Sequence, residues 1–189
     1  MSSFIAGATP PVVMPVVNRG ATDIFFLPGW GPTGRASANT INANKLYYIP
    51  IYVAIATTFT QLALEVNIAA GAGSVLRMGA YTAIVVNGGI APGILLLDAG
   101  TIAADTIGLK TIDISHTLAP GHYFLAYVSD GTPRLYGPGA DSSHAAPACG
   151  YAVSGDSSLD AIIATANQSG IAAGGFPATA VAVTGAAGS

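Results

Sequence analysis

The residue types that could do chemistry are sparse in this 189-residue chain, and their spacing matters more than their presence. Gly155-Asp156-Ser157 has the types of a serine nucleophile segment, with His116, His122 and His144 upstream. An oxyanion hole of that kind needs a glycine pattern around the serine, whereas Ser158-Leu159 follows here. The histidines close a strand, follow a turn and sit in a loop, so nothing gathers a nucleophile, a base and an orienting group. Gly29-Trp30-Gly31-Pro32-Thr33-Gly34 matches the dinucleotide pattern literally. That mechanism requires a strand before it, a helix after it and an acid about twenty residues on. Arg35–Asn44 is poor helix and the residues near position 54 are apolar, which leaves a turn in a linker.

Metal chemistry finds no better spacing. The histidines with Asp113 or Asp141 lack the fixed helical or C-x-x-C spacing of a ligand set. Asp98, Asp105, Asp130 and Asp141 lie at or near turns, where aspartate ordinarily hydrogen-bonds backbone. Cys149 is the single cysteine, which excludes an internal disulfide and reads as a small buried residue. Asn167-Gln168-Ser169 is a sequon without a secretory leader ahead of it. The eight tyrosines suit half-buried strand faces, with a sugar-stacking platform as the alternative use. The expectation is a chain without enzymatic activity, cofactor or metal.

The elements that would position these residues are strands. From Lys45 to Gly137 short alternating segments follow one another, separated by glycine and proline. Thr60, Leu62, Leu64, Val66 and Ile68 share one strand face, with Gln61, Glu65 and Asn67 mostly on the other. Gly71–Gly73 turns the chain into a strand over Val75–Ala83, and Asn87-Gly88 is a hairpin signal because both residues tolerate positive φ. Pro92-Gly93 opens a strand at Ile94–Leu97, and Ile112 and Ile114 point inward between Asp113 and Ser115. Pro120-Gly121 fits the centre of a type II turn before the strand His122–Ser129, and Asp130-Gly131 turns again. Strands at this spacing without helical crossovers predict an all-β antiparallel two-sheet sandwich.

The flanks differ. Residues 1–44 hold Pro10, Pro11, Pro15, Pro28 and Pro32 and read as an extended N-terminal arm with two short strands, ahead of a sandwich over 45–189. An arm carrying Phe25, Phe26, Leu27 and Trp30 must lie on something, its own sandwich or a neighbour. Residues 137–158 read as a long loop. Ser157–Asp160 offers a capping box for a short helix through Gln168, although Ile162 and Ile163 serve equally in a strand. Thr179–Val183 reads as a last short strand.

Composition narrows the function classes. Charged residues are 8% of the chain, against about 25% in an average soluble domain, while hydrophobic residues are 51%. So few charges favour burial against copies of itself or a partner. No stretch long enough to span a bilayer is free of proline, charge or turn signals; Leu46–Ala70 carries Pro50, Gln61, Glu65 and Asn67. The first eighteen residues have no Lys or Arg, unlike a signal peptide. A net charge of −3 with six basic residues argues against nucleic-acid binding.

Leu46-Tyr47-Tyr48-Ile49-Pro50, Ala80-Tyr81, Asn87-Gly88-Gly89, Pro92–Thr101 and Leu118–Ala126 together resemble a jelly-roll module of tailed-bacteriophage structural proteins, found at tail-fibre tips and in small head-surface proteins. The likeness covers Lys45–Gly131, about half of the chain. It implies a jelly roll, assembly as a homotrimer and a place on the outer surface of a phage particle. The expected role is a capsid decoration protein contacting the major capsid protein or another virion protein. The alternative is the receptor-binding tip of a tail or head fibre, contacting a host surface glycan. Phe25, Phe26, Leu27 and Trp30 are the interface candidates. Two departures stand out. The chain ends in Gly185–Ser189 without the further apolar strand such modules carry, which leaves a sheet edge open or filled by another chain. It also lacks a long fibre shaft, which favours the decoration role.

Overall fold

A computed structural model describes residues 38–86, 89–136 and 163–181. Nine strands and one short helix run through them. The strands are β1 (Ala38–Thr40), β2 (Lys45–Val53), β3 (Thr57–Ile68), β4 (Val75–Val86), β5 (Gly89–Ala103), β6 (Gly108–Leu118), β7 (Gly121–Ser129), β8 (Arg134–Tyr136) and β9 (Ile163–Asn167). A single helical turn, α1, covers Ile171–Gly174. The strands form a four-stranded sheet in the order β1-β8-β3-β6 and a five-stranded sheet in the order β5-β4-β7-β2-β9.

The pairing explains the shape. β4 pairs β5, β3 pairs β6, β2 pairs β7 and β1 pairs β8, all antiparallel. Those four pairs are the rungs of one long hairpin whose tip is the β4–β5 connection. Cross-pairing of β4 with β7 and of β3 with β8 rolls that hairpin into two facing sheets. This is the jelly-roll topology. Val86 sits opposite Gly89, so Asn87 and Gly88 join the two arms of the roll, although those two residues lie outside the described ones.

Several sequence expectations shift in detail. β1 pairs with β8, and Ile41 behind it is buried in the core, so the sandwich takes in residues ahead of Lys45. Asn44 turns the chain from β1 into β2 with φ 59, a conformation asparagine tolerates. β5 does not open at Pro92-Gly93 but runs through it for 15 residues; Pro92 is accommodated because β5 is an edge strand of its sheet. The alternation assigned to β3 holds for Leu62, Leu64 and Val66, which pack inward. It fails at Thr60 and Ile68, both exposed, because the register shifts between Phe59 and Gln61 and again between Val66 and Ile68. The turn expected at Pro120-Gly121 carries the chain from one sheet to the other, since β6 and β7 belong to different sheets.

At the C-terminus, Ile163–Asn167 is strand and not the end of a helix, and the helical turn comes later. The unpaired backbone of β2 offers this segment a ladder, with Tyr48 opposite Ile163 and Lys45 opposite Asn167. That tertiary offer overrides a weak capping signal; Ser157–Ile162 lie outside the described residues. Of the strand expected at Thr179–Val183, Thr179 makes one antiparallel bridge, to Ile94, and Ala182 and Val183 lie outside the described residues.

The inner core between the sheets contains Ile41, Ile49, Val66, Leu76, Met78, Ala104, Tyr127 and Leu135. Tyr47 and Tyr127 stack within it, with centroids 5.1 Å apart. A second core lies on the outer face of the five-stranded sheet. Leu46 and Tyr48 of β2, Tyr81 of β4 and Phe124, Ala126 and Val128 of β7 pack there with Ala172 and Phe176. Both faces of this sheet are therefore apolar, which is why its strands read as near-continuous hydrophobic runs.

Candidate functional site

What covers that outer face is the segment 163–181, a strap that crosses the five-stranded sheet from one edge to the other. It starts as β9 on the β2 edge, where the Gln168 amide also donates to the Asn44 carbonyl at 2.6 Å. It ends on the β5 edge, where the Leu95 amide donates to the Ala178 carbonyl at 2.9 Å and the Ala180 amide to the Gly93 carbonyl at 2.7 Å. The strap thus pairs with Lys45–Tyr48 on one side of the sheet and with Gly93–Leu95 on the other.

Between the edges the strap is latched by Arg77 and Asp98. The guanidinium donates through Nε to the Ala172 carbonyl at 2.9 Å and through a terminal nitrogen to the Ala173 carbonyl at 3.1 Å. Its other terminal nitrogen meets Asp98 Oδ1 at 2.7 Å. Asp98 Oδ2 accepts the Phe176 amide at 3.0 Å, and Oδ1 also accepts the Gly100 amide at 3.0 Å. A bulge makes this possible: Gly79 lies opposite Asp98 and Met78 opposite Gly100, so Ala99 is the extra residue, and Gly100 takes φ 89. Burial opposes ionisation of Asp98, but the Phe176 amide, Arg77 and the Gly100 amide outweigh it and hold the carboxyl below its usual range.

Phe176 lies over Gly79, where an added Cβ would come within 2.8 Å of the ring. The phenylalanine also meets the Tyr81 ring edge-on at 6.1 Å. Tyr81 donates its hydroxyl to the Pro177 carbonyl at 2.9 Å. Burial pushes both phenols under the strap upward, Tyr48 to about 12 and Tyr81 further. These tyrosines therefore stay neutral across the physiological range; Tyr81 bonds the strap, while Tyr48 packs with its hydroxyl buried and without a hydrogen-bond partner among the described residues.

Both ends of the roll expose apolar residues. At one end Ile68, Ile107 and Leu109 are exposed beside polar corners, where Asp105 accepts the Gly73 amide at 2.9 Å and Asp130 the Val75 amide at 2.8 Å. These aspartates satisfy backbone, as turn aspartates do. At the other end β7 last pairs with β4 at Thr82, and beyond it β4 and β5 pair only with each other. This ribbon exposes Ile84 (46%), Val85 (79%) and Val86 (46%). Ile55 (62%) and Tyr52 (47%) lie at the same end, with the Tyr52 ring 4.8 Å from His122.

The residues singled out by type do not converge. His116 lies in the four-stranded sheet opposite Phe59, and His122 in the five-stranded sheet opposite Tyr52. Among the described residues no group of three His, Cys, Asp or Glu side chains is placed to hold a metal ion. Asp113 accepts from Gln61 at 2.8 Å on the polar face of the four-stranded sheet. Of the described tyrosines only Tyr52 is strongly exposed, so the others serve packing and no aromatic platform assembles among them. Phe25, Phe26, Leu27 and Trp30 lie outside the described residues, as do Gly29–Gly34, Asp141, His144, Cys149 and Gly155–Ser157.

Sequence reasoning missed the strap and the apolar end. Signals for both existed. Phe176 is the one aromatic residue beyond Tyr151, in a stretch otherwise of small residues. Ile84-Val85-Val86 is an unbroken apolar run directly before a hairpin turn, where one polar face is the rule for a solvated ribbon. No family model, curated protein or solved structure matches the chain.

Proposed function

We propose that this chain is a non-enzymatic virion structural protein, a capsid decoration protein that trimerises on the outer surface of a phage-like head. One observation carries the reading: a rolled sandwich of very low charge leaves large apolar side chains exposed at one end, Ile55 at the β2–β3 corner and Ile84, Val85 and Val86 on the β4–β5 ribbon. Exposed apolar patches of this kind mark protein contacts. The likeness of Pro92–Thr101 and Leu118–Ala126 to phage jelly-roll modules supplies the virion context. In this role the roll is a rigid plug, its apolar end meets copies of itself or the major capsid protein, and Trp30 with Phe25, Phe26 and Leu27 supplies anchors from the arm.

The deciding experiment is the copy number of the protein in purified particles, by quantitative mass spectrometry against the major capsid protein. A near-stoichiometric ratio supports a protein covering the shell. A few copies per particle moves it to the tail or a vertex and supports the receptor- or glycan-binding tip, for which Tyr52 beside His122 is the exposed ring pair. Absence from particles removes the virion reading. Within this reading, Val85→Asp and Trp30→Ala each abolish or weaken assembly, seen by analytical ultracentrifugation, while the melting temperature of the roll stays within about 2–4 °C of wild type.

A further inference from the structure

In the four-stranded sheet β3 is paired unequally on its two sides. β6 pairs with β3 along nearly all of its length, from Thr57 to Val66. On the opposite side β8 reaches only Glu65, Val66 and Ile68. Among the described residues, no backbone group bonds to the eight residues Thr57–Leu64 from the side away from β6. This stretch contains none of the lysines or prolines that protect a free edge. Leu62 and Leu64 of this stretch are only partly buried where they pack against the inner core. A row of main-chain donors and acceptors next to an apolar floor is the arrangement that receives an added strand.

The register says which strand. Ala38 of β1 lies opposite Tyr136 of β8, which lies opposite Glu65 of β3. β1 runs parallel to β3, with β8 between them. In a continued extended strand Trp30, eight residues back from Ala38, would stand level with Thr57, eight residues back from Glu65. Directly ahead of Trp30 stands Pro28-Gly29, the pair that turns a chain back on itself. The eight residues before that turn, Gly20–Leu27, match the open length of β3, about 26 Å at roughly 3.3 Å per residue. They lie in the proline-free window Val16–Leu27, so every backbone donor is present. β8 ends at Tyr136, and Gly137-Pro138-Gly139 follows in the sequence, where proline cannot donate to a ladder.

We infer that the open edge of β3 is the docking site for the chain's own segment Gly20–Leu27, which adds to it as an antiparallel strand and returns through Pro28-Gly29 into β1. Consecutive side chains of a strand face opposite ways. Of Phe25 and Phe26, one therefore closes the apolar floor and the other stays outside, available to a partner. Trp30 is carried to the level of Ile55 and the β4–β5 ribbon, which gathers the aromatic anchor and the apolar end. This inference stands whether or not the protein belongs to a virion.

Disulfide trapping in the full-length protein tests it. Cys149→Ser removes the native thiol, Thr58→Cys marks the edge, and a second cysteine is placed in turn at Phe25, Phe26 or Leu27. The expected result is a disulfide within one chain in at least one of the three, migrating as a monomer on a non-reducing gel. A disulfide only between chains overturns the own-chain occupant and assigns the site to the arm of a second copy. No disulfide in any of the three overturns the docking itself. Hydrogen exchange on the unmodified protein gives an independent reading. The Thr57–Leu64 amides directed away from β6 should exchange at least ~10-fold more slowly than the amides of the exposed Gly71 and Ala72, and Ile24→Pro should abolish that difference while sparing the amides paired to β6. Fast exchange of the edge-directed amides in the unmodified protein refutes the inference.

Discussion

The two outward faces of the roll make opposite use of similar strands. The four-stranded sheet turns Thr58, Thr60, Gln61, Asp113, Ser115 and Thr117 to solvent, with Thr58 and Thr117 hydroxyls 2.7 Å apart. The five-stranded sheet turns Leu46, Tyr48, Tyr81, Phe124 and Val128 outward and buries them under the strap. A sheet needs one apolar face to form a sandwich; a second one demands a third layer. Here that layer is a strap of small residues carrying one aromatic anchor. Small residues suffice because the sheet itself supplies the bulk, and Gly79 opens the space into which Phe176 fits. The strap is held at its edges by main-chain bonds and in the middle by one ion pair, so its stability is spread over different kinds of interaction.

That contrast can be tested by weakening each face in turn. The largest effect is expected for Phe176→Ala, which removes the anchor of the outer core and should cost about 3–5 kcal/mol in chemical denaturation. A loss below about 1 kcal/mol would mean that the strap merely rests on the sheet. Gly79→Ala comes next, since the new methyl group meets the Phe176 ring and the β5 backbone; overpacking of this kind costs about 1–3 kcal/mol. Combining it with Phe176→Ala should recover part of the loss, because the clash with the ring then disappears.

The latch is the third test. Asp98 ionises below its usual range in the folded chain, so its contribution is complete above about pH 4 and is lost as the pH falls through the depressed folded value. Asp98→Asn should destabilise the protein by about 1–2 kcal/mol at pH 7, and the gap between variant and wild type should narrow below pH 4 in thermal melts. A gap that is constant with pH would show that the amide replaces the carboxylate geometry without using its charge. The smallest effect belongs to the polar face: Gln61→Ala should stay within about 0.5 kcal/mol of wild type. A larger loss would mean that this face too is a packed surface.

Much of the fold was legible in the residues. The alternation at Leu62, Leu64 and Val66, the inward Ile112 and the turn at Asn87-Gly88 all follow from period-two patterning and turn chemistry. The strap was illegible because its residues carry almost no pattern: Ile171–Gly174 and Gly175–Ala180 are small and irregular, and their placement depends on what Tyr81, Arg77 and Asp98 present. The apolar end was illegible for a different reason. Ile84-Val85-Val86 looks like ordinary strand, and only the early end of β7 pairing at Thr82 leaves it bare.

By itself the amino-acid sequence determined that this chain is built of antiparallel strands and where most of them turn. It could not determine which turns are hairpins. Asn87-Gly88 joins strands that pair with each other, whereas Gly71–Gly73, Pro120-Gly121 and Asp130-Gly131 carry the chain from one sheet to the other. Turn residues set φ and ψ locally and are the same in both cases. Whether the next strand returns alongside or crosses over depends on which distant faces must be buried together, and that is settled only when β1 meets β8, β2 meets β7 and the strap closes over Tyr48 and Tyr81.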